Sequence, residues 1–245
     1  MRNIRLLIEY DGINYQGWQV QPKGQTVQGV IEEKLARITG ETIHVISSGR
    51  TDSGVHAFGQ VANFKTKSQL DIGSIQRALN SLLPSDIVIQ SVDEVEEGFD
   101  ARKESKSKVY EYRILNRELR SAFHHKYAWH VPQKLDLEKM KEATRLLIGE
   151  HDFSSFRSVG SATRTGVRTV IRAEWKRSRE GFIRFEIEAN GFLKQMVRTI
   201  VGTLVEVGKG KISSQDFLKI LESKDRKKAG ATAPAYGLFL KEVKY

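Results

Sequence analysis

Two charged residues two positions apart, Arg50 and Asp52, are the strongest candidates for chemistry in this 245-residue chain. They lie within residues 47–57, where Gly49 and Gly54 permit tight backbone geometry or the close approach of a ligand. In an extended segment the side chains at i and i+2 point the same way, so the two groups can lie side by side. A nearby guanidinium favours the ionised form of a carboxylate, as a carboxylate nucleophile requires.

The same residues also fit a purely structural role. Residues 52–54 can form an Asx turn that joins two strands of a hairpin, because a short polar side chain followed by glycine suits such a turn. Spacing alone favours this turn, so a catalytic role for Asp52 needs further support.

Other catalytic and cofactor motifs fail on inspection. Residues 202–209 resemble a phosphate-binding loop, but the glycines are one residue too far apart and Gly210 stands where Ser or Thr should follow the lysine. No GxGxxG motif follows a strand, which argues against a dinucleotide cofactor, and no GxSxG motif offers a serine nucleophile. The six histidines have no metal-ligand spacing and are predicted to be surface or packing residues.

The complete lack of cysteine excludes further classes of protein. The chain has no disulfide framework, no Cys-ligated zinc site and no thiol nucleophile. This excludes Cys-dependent base methyltransferases and zinc deaminases that use a Cys pair.

Hydrophobic periodicity places residues 47–57 between two strands of the first half of the chain. The predicted elements are a strand over 2–10, a helix from the N-cap Thr26 to Gly40, strands over 43–47 and 60–64, a helix over 71–83 and a strand over 86–92. Strand, helix, strand, strand, helix, strand is the order of the ferredoxin-like unit.

The second half of the chain repeats this order with insertions. The predicted elements are a strand over 108–115, a helix over 136–148, strands over 169–176 and 183–189, a helix over 191–207 and a strand over 238–243. We therefore predict two domains, residues 1–105 and 106–245, with a cleft between them as the expected place for chemistry.

Positive charge is concentrated in the second half. The chain has 40 Lys and Arg against 30 Asp and Glu, but residues 1–100 carry 9 basic and 13 acidic side chains while residues 101–245 carry 31 and 17. Aromatic residues are interleaved with the basic stretches 102–126 and 157–184, which suits stacking on bases beside phosphate contacts. The alternative is an ordinary solvated basic surface.

No segment approaches the length of a membrane-spanning apolar run, and the first residues lack a signal-peptide core. We expect a soluble, cytoplasmic protein that does not associate with membranes.

The string GRTDSGVHA at residues 49–57 closely resembles the active-site motif GRTDxGVHA of the tRNA pseudouridine synthase A family. Further similar features follow in family order along essentially the whole chain: Tyr10-Asp11-Gly12, residues 15–19 and 26–28, Tyr110-Glu111-Tyr112, residues 151–156, 192–193, 196–198 and 200–202, and residues 233–238.

The resemblance implies a fold and an activity. The fold is α+β, in which two ferredoxin-like βαββαβ halves form a continuous, mostly antiparallel sheet with helices on one side and a central catalytic cleft. Members of the family isomerise uridine to pseudouridine at nucleotides 38, 39 and 40 of the tRNA anticodon stem-loop. They use neither cofactor nor metal, and they act as homodimers with a tRNA bridging the two subunits.

The resemblance also assigns roles to residues. Asp52 matches the catalytic aspartate, and whether that group acts on the uracil ring or on the ribose stays open. Tyr110 matches the tyrosine that packs on the target base. Arg50 matches the arginine that helps to hold the target nucleotide out of the helix, and Arg198 matches the basic residue that pairs with the aspartate.

Without the resemblance, Tyr110 is a strand aromatic of the core and Arg198 a charge on a helix surface. Leu193 and Val197 either line the pocket or fill the core. On charge density alone, the candidates for phosphate contacts are Arg102, Lys103, Lys106, Lys108, Arg113, Arg164 and Arg168.

Two other functions compete with this interpretation. The first is a module that uses ferredoxin-like halves to bind RNA without chemistry, although the basic half lacks an RRM-type aromatic string. The second is a small-molecule enzyme that happens to be basic, whose binding would not fall steeply with salt.

Overall fold

The computed structural model describes residues 1–158 and 165–245, and these residues form two compact units. The first unit comprises Met1–Lys106 together with Phe239–Tyr245, and the second comprises Ser107–Leu238. The sequence pattern instead assigned residues 239–245 to the second half. The difference arises because this last segment pairs in parallel with a strand of the first unit, with Phe239 opposite His56.

The first unit is an α+β fold with a mostly antiparallel sheet. Its elements in chain order are β1 (Arg2–Tyr10), α1 (Val27–Thr39), β2 (Ile46–Ser47), β3 (His56–Thr66), α2 (Ile72–Leu82) and β4 (Ile87–Val95). The β1 strand pairs antiparallel with both β3 and β4, and β2 pairs antiparallel with β3. The order predicted for a ferredoxin-like half is therefore confirmed.

Both helices of the first unit begin and end close to where the sequence predicts. The Thr26 hydroxyl accepts a hydrogen bond from the Gly29 N–H at 3.3 Å, and the Asp71 carboxylate accepts one from the Ser74 N–H at 2.9 Å. Such caps satisfy N–H groups that have no partner within the helix. At the other end of α1, Gly40 takes a left-handed φ of 72°, which glycine adopts without strain.

The second unit is also α+β. Its elements are β5 (Ser107–Leu115), β6 (Trp129–His130), α3 (Leu137–Arg145), β7 (Gly149–Asp152), β8 (Val167–Arg177), β9 (Phe182–Ala189), α4 (Met196–Gly208) and α5 (Ser214–Glu222). The strands lie in the order β5, β9, β8, β7 with antiparallel neighbours, and β6 pairs in parallel with β5. The last strand, β10 (Leu238–Lys244), begins at the final residue of this unit and continues into the first.

The strand predicted over 43–47 is reduced to the two residues of β2. Ile43 and Val45 are buried as their alternation predicts. However, side chains of α1 take the backbone groups of Val45: its N–H donates to Glu32 Oε1 at 2.9 Å, and its carbonyl accepts from Gln28 Nε2 at 3.2 Å. These groups are therefore not available to a neighbouring strand.

The second half contains elements that the sequence did not predict. The helix predicted from residue 191 begins only at Met196, because Gln195 takes a left-handed φ of 61°. The elements β6, β7 and α5 were also not predicted. Within the two described ranges, no helix is both long and apolar enough to cross a membrane.

We expect Gly202→Ala to destabilise the protein. A Cβ on this α4 residue would overlap the carbonyl oxygen of Ala231. The clash outweighs the helix propensity of alanine, about 1 kcal/mol, and leaves a net loss of about 2 kcal/mol. Calorimetry should show the melting temperature falling by about 4–8 °C.

The matched control is Gly98→Ala, where a Cβ meets no atom within 4 Å. Its melting temperature should stay within about 1 °C of the parent protein, since the new methyl group meets nothing. Equal melting temperatures for the two variants would contradict the packing described for Gly202.

Candidate active site

The loop that carries Asp52 connects β2 to β3 through a tight turn. The Val55 N–H donates to the Asp52 carbonyl oxygen at 3.1 Å, and Gly54 takes a left-handed φ of 76°. The Asp52 side chain is half-buried and the Arg50 side chain is exposed. A backbone turn is therefore present over residues 52–55. The Asx turn, in which the Asp52 side chain would accept the bond, stays a prediction. This backbone turn is compatible with a chemical role, because it fixes the stretch of backbone that carries the carboxylate.

A second segment, residues 11–18 between β1 and α1, is hydrogen-bonded to this loop. The Trp18 N–H donates to the Thr51 carbonyl oxygen at 3.1 Å. The Ser53 hydroxyl donates to the Tyr15 carbonyl oxygen, also at 3.1 Å. The two bonds hold the backbone on either side of Asp52.

Two glycines allow the backbones of these segments to touch. Gly17 has a left-handed φ of 87°, and a Cβ there would lie 2.6 Å from the Thr51 carbonyl oxygen. A Cβ on Gly12 would overlap the carbonyl oxygen of Val55. Any larger residue at either position would displace the loop.

Buried polar side chains support the loop from β1 and β3. The Tyr10 and Thr51 hydroxyls are hydrogen-bonded at 2.8 Å. The Gln60 amide donates to the Gly49 carbonyl oxygen at 2.9 Å and accepts from the Ser48 hydroxyl at 2.7 Å. Burial raises the pKa of Tyr10 far above its ordinary value, so its phenol stays neutral.

His56, at the start of β3, is a packing residue, as the sequence predicted for the histidines. Its ring is 2% exposed and stacks on Phe239 with centroids 4.6 Å apart. Its Nδ1 lies 3.0 Å from Asp11 Oδ1 and 3.2 Å from the backbone nitrogen of Gly12. The histidine therefore connects the end of the Asp52 loop to the segment that covers it.

Tyr110 lies in the middle of β5 in the second unit, opposite Ile187 of β9. Its ring is 7% exposed and forms a T-shaped pair with Phe192, with centroids 5.0 Å apart and planes at 82°. This edge-to-face contact fixes the plane of the tyrosine ring.

Arg198 lies in the first turn of α4 and is bonded to the segment before β10. Its Nε donates to the Ala233 carbonyl oxygen at 2.8 Å, and the Ala233 N–H donates to the Arg198 carbonyl oxygen at 3.1 Å. The neighbouring Tyr112 hydroxyl donates to the Pro234 carbonyl oxygen at 2.8 Å. These bonds fix the direction of the half-buried Arg198 side chain.

The predicted site residues thus fall into two groups. Arg50 and Asp52 share one loop of the first unit, whereas Tyr110 and Arg198 belong to the second unit. Leu193 and Val197, left open between pocket and core, are both buried.

The basic residues nominated for phosphate contacts differ in exposure. Arg102, Lys103 and Lys106 are exposed. Lys108 and Arg113 are half-buried, and Arg113 forms an ion pair with Glu111 at 2.6 Å. Exposed cations are the better placed of these to meet phosphate groups.

Arg168 is half-buried and donates to the Thr165 carbonyl oxygen at 3.2 Å. Burial and, second, the positive charge of Arg157 lower the pKa of its guanidinium. An approaching anion would relieve both effects. Arg164 lies outside the described residues.

A protein-ligated metal ion requires several ligating side chains in a defined arrangement. Among the described residues, no group of three or more His, Asp or Glu side chains is arranged as a ligand set. The predicted site residues supply a carboxylate, a phenol and two guanidinium groups.

Sequence reasoning did not assign a role to the residues that brace the loop. Tyr10, Gly12 and Gly17 lie within strings singled out only for their family resemblance. Gln60 lies on a predicted strand and carried no signal at all. A glycine that must touch another backbone is not distinguishable by periodicity from one in an ordinary turn.

Comparisons with known proteins give a consistent result. The profile of the family described as "tRNA pseudouridine synthase" matches residues 6–102 and 143–245. Proteins named "tRNA pseudouridine synthase A" from Thermoanaerobacter sp. (strain X514) and Acetivibrio thermocellus are 48% and 49% identical to this chain, with full coverage of both sequences.

A more distant likeness is to a solved structure, the archaeal box H/ACA sRNP Nop10-Cbf5 complex. It has 13% identity and a TM-score of 0.34, and the match covers 90% of this chain but only 60% of that one. A likeness at this level supports no conclusion about function.

We expect Thr51→Val to loosen the Asp52 loop. Valine keeps the shape of threonine but removes the hydroxyl that is bonded to the buried Tyr10 phenol. The loss should cost about 1 kcal/mol, or a fall of about 2–4 °C in melting temperature. Amide hydrogen exchange should become faster at Val55.

Thr42→Val is the control, because Thr42 is exposed and lies outside the loop. It should leave both the melting temperature and the exchange at Val55 unchanged. Unaltered exchange in Thr51→Val would show that the hydroxyl pair does not brace the loop.

Proposed function

The chain belongs to the tRNA pseudouridine synthase family, and on that footing we propose that it converts uridine to pseudouridine at nucleotides 38, 39 and 40 of the tRNA anticodon stem-loop. It is an isomerase that acts on tRNA. The single observation that supports Asp52 as its nucleophile is the loop: a half-buried carboxylate on a tight turn, braced by hydrogen bonds and glycine contacts on both sides.

The proposed reaction needs no net oxidation, reduction or added group. The bond between ribose C1′ and uracil N1 breaks, the base turns, and C1′ joins uracil C5. The proton leaves C5, and N1 of the product carries a proton. A carboxylate such as Asp52 can serve as the nucleophile without a cofactor, because the product is an isomer of the substrate.

The other three residues take positioning roles in this proposal. Tyr110 packs on the target base, for which the Phe192 edge contact keeps its ring in one plane. Arg50 is exposed and helps to hold the target nucleotide out of its stack. For Arg198 we propose the role of basic partner to the catalytic carboxylate, and its bond to the Ala233 carbonyl oxygen gives its guanidinium a defined direction.

The excess of basic side chains in the second half of the chain also supports an RNA substrate. Extruding a base costs a few kcal/mol, which phosphate contacts and stacking must offset. Residues 101–245 carry 31 basic against 17 acidic side chains. The exposed Arg102, Lys103 and Lys106 are the foremost candidates for these contacts.

We propose that the enzyme works in the cytoplasm, where the tRNA pool that it modifies is found.

We expect Asp52→Asn to abolish turnover while tRNA binding persists. Asparagine keeps the size of the side chain but lacks the ionised carboxylate, so the rate should fall by roughly a thousandfold or more. Release of tritium from C5 of uridine in an anticodon-arm transcript measures turnover, and filter binding measures affinity.

Glu222→Gln removes one carboxylate charge from an exposed position at the end of α5 and should behave like the parent enzyme. Normal turnover in Asp52→Asn would overturn the assignment of the nucleophile. Loss of tRNA binding in the same variant would instead give Asp52 a structural role.

We further propose that the enzyme is a homodimer that holds one tRNA across two subunits. Light scattering should then give twice the chain mass of 27.8 kDa. A monomer that converts tRNA at the full rate would refute this arrangement.

A further inference from the structure

The connection from β5 to β6 displays two large apolar side chains to solvent. Phe123 is 87% exposed and Leu119 is 75% exposed, more than any other large hydrophobic residue in the described ranges. An exposed aromatic ring forgoes the stabilisation that burial of its apolar surface would give. The ring at this position therefore calls for a partner outside the chain.

This connection, residues 116–128, is held by hydrogen bonds within itself and to the residues that follow β6. Arg117 Nε donates to the Leu119 carbonyl oxygen at 2.9 Å. The Asn116 amide donates to the carbonyl oxygens of Val131 and Gln133 at 2.8 and 2.7 Å. The exposed ring is therefore carried on a formed loop.

The residues next to Phe123 are also fixed. The backbone N–H groups of Tyr127 and Ala128 both donate to the His124 carbonyl oxygen at 3.0 Å. The His124 ring forms a T-shaped pair with Phe182 of β9, with centroids 4.9 Å apart. The ring of Phe123 therefore projects from a base that is anchored to the sheet.

The charge around the ring indicates what covers it. The connection carries Arg117, Arg120 and Lys126 against the single carboxylate of Glu118. A second copy of the same surface would bring these like charges together, which opposes self-association. A polyanion with an aromatic surface of its own matches both the cations and the ring.

We propose that Phe123 is a stacking platform for an unpaired or terminal base of the tRNA, while Arg120 and Lys126 contact the adjoining phosphates. Only such a base offers a free face, since paired bases are covered by their neighbours. The base differs from the target uridine, because Tyr110 lies five residues, or about 16 Å along the strand, before the end of β5, and this loop begins only after that end. The inference rests on the chain's activity on tRNA.

The test is equilibrium binding of full-length tRNA by Phe123 variants made in the Asp52→Asn background, which prevents turnover. Phe123→Ala should weaken binding about tenfold, because one stacked base contributes roughly that much. Phe123→Trp should bind at least as tightly as the parent, and its added fluorescence should be quenched by tRNA. Phe123→Leu should bind like Phe123→Ala, since it is apolar but has no π face.

Salt dependence separates stacking from charge. Phe123→Ala should leave the slope of log Kd against log salt unchanged, whereas Lys126→Ala should reduce it by about one. Ile171→Ala, which truncates another exposed apolar residue (53% exposed), should match the parent in affinity and slope.

Several results would overturn the inference. Parent-like affinity in Phe123→Ala would do so, as would full affinity in Phe123→Leu. A change of molar mass on light scattering in Phe123→Ala would assign the ring to a protein contact. This test is independent of the proposed nucleophile. Turnover by the Asp52→Asn variant would refute the catalytic role of Asp52, but it would not change the effect of the Phe123 substitutions on tRNA affinity.

Discussion

The contact of two backbones, residues 11–18 against residues 51–55, is the constraint on which the candidate site depends. It exists only because Gly12 and Gly17 have no side chain, since a Cβ on either would collide with the Asp52 loop. Because the two backbones pack closely, hydrogen bonds support the Asp52 loop. The Thr51 hydroxyl is bonded to the Tyr10 hydroxyl, and the Thr51 carbonyl oxygen accepts from the Trp18 N–H. Two stretches about forty residues apart in the chain therefore behave as one structural feature.

The second unit uses the same device around Arg198. Gly202 lies one turn further along α4 and lets the Ala231 carbonyl oxygen approach the helix. Ala233 then exchanges two hydrogen bonds with Arg198, through a side chain and through the backbone. In both units a glycine on one segment allows another segment to lie against it, and that contact supports the backbone that carries a candidate site residue. The positions of Asp52 and Arg198 are thus set by tertiary packing more than by their own secondary structure.

The sequence predicted those parts of the fold that follow from periodicity and capping. The helices that begin after Thr26 and Asp71 could be predicted because their caps are local. The start of α4 could not, because the apolar stripe continues through Leu193 and nothing local announces the left-handed Gln195. The prediction of a strand over 43–47 was wrong for another reason. The side chains of Glu32 and Gln28 take the hydrogen-bonding groups of the Val45 backbone, and this depends on how α1 packs.

For the site, the residue types near Asp52 suggested both a turn and a nucleophile, and only resemblance separated them. A backbone turn was found at residues 52–55. The supports of the loop, Gln60 above all, could not be predicted because they are contacts across the fold. The exposed ring of Phe123 is equally invisible to periodicity, since it stands outside every strand and helix.

The first unit is discontinuous, and this matters while the chain is being made. Phe239 stacks on His56, which lies four residues after Asp52. The β10 strand also pairs with the start of β3, at His56 and Ala57. At roughly 5–20 residues per second, the ribosome needs on the order of ten seconds to synthesise the second unit that intervenes. During that interval the first unit is released without its last strand. Most of the first unit therefore emerges before the second unit. It cannot complete its sheet until Phe239 has left the ribosome.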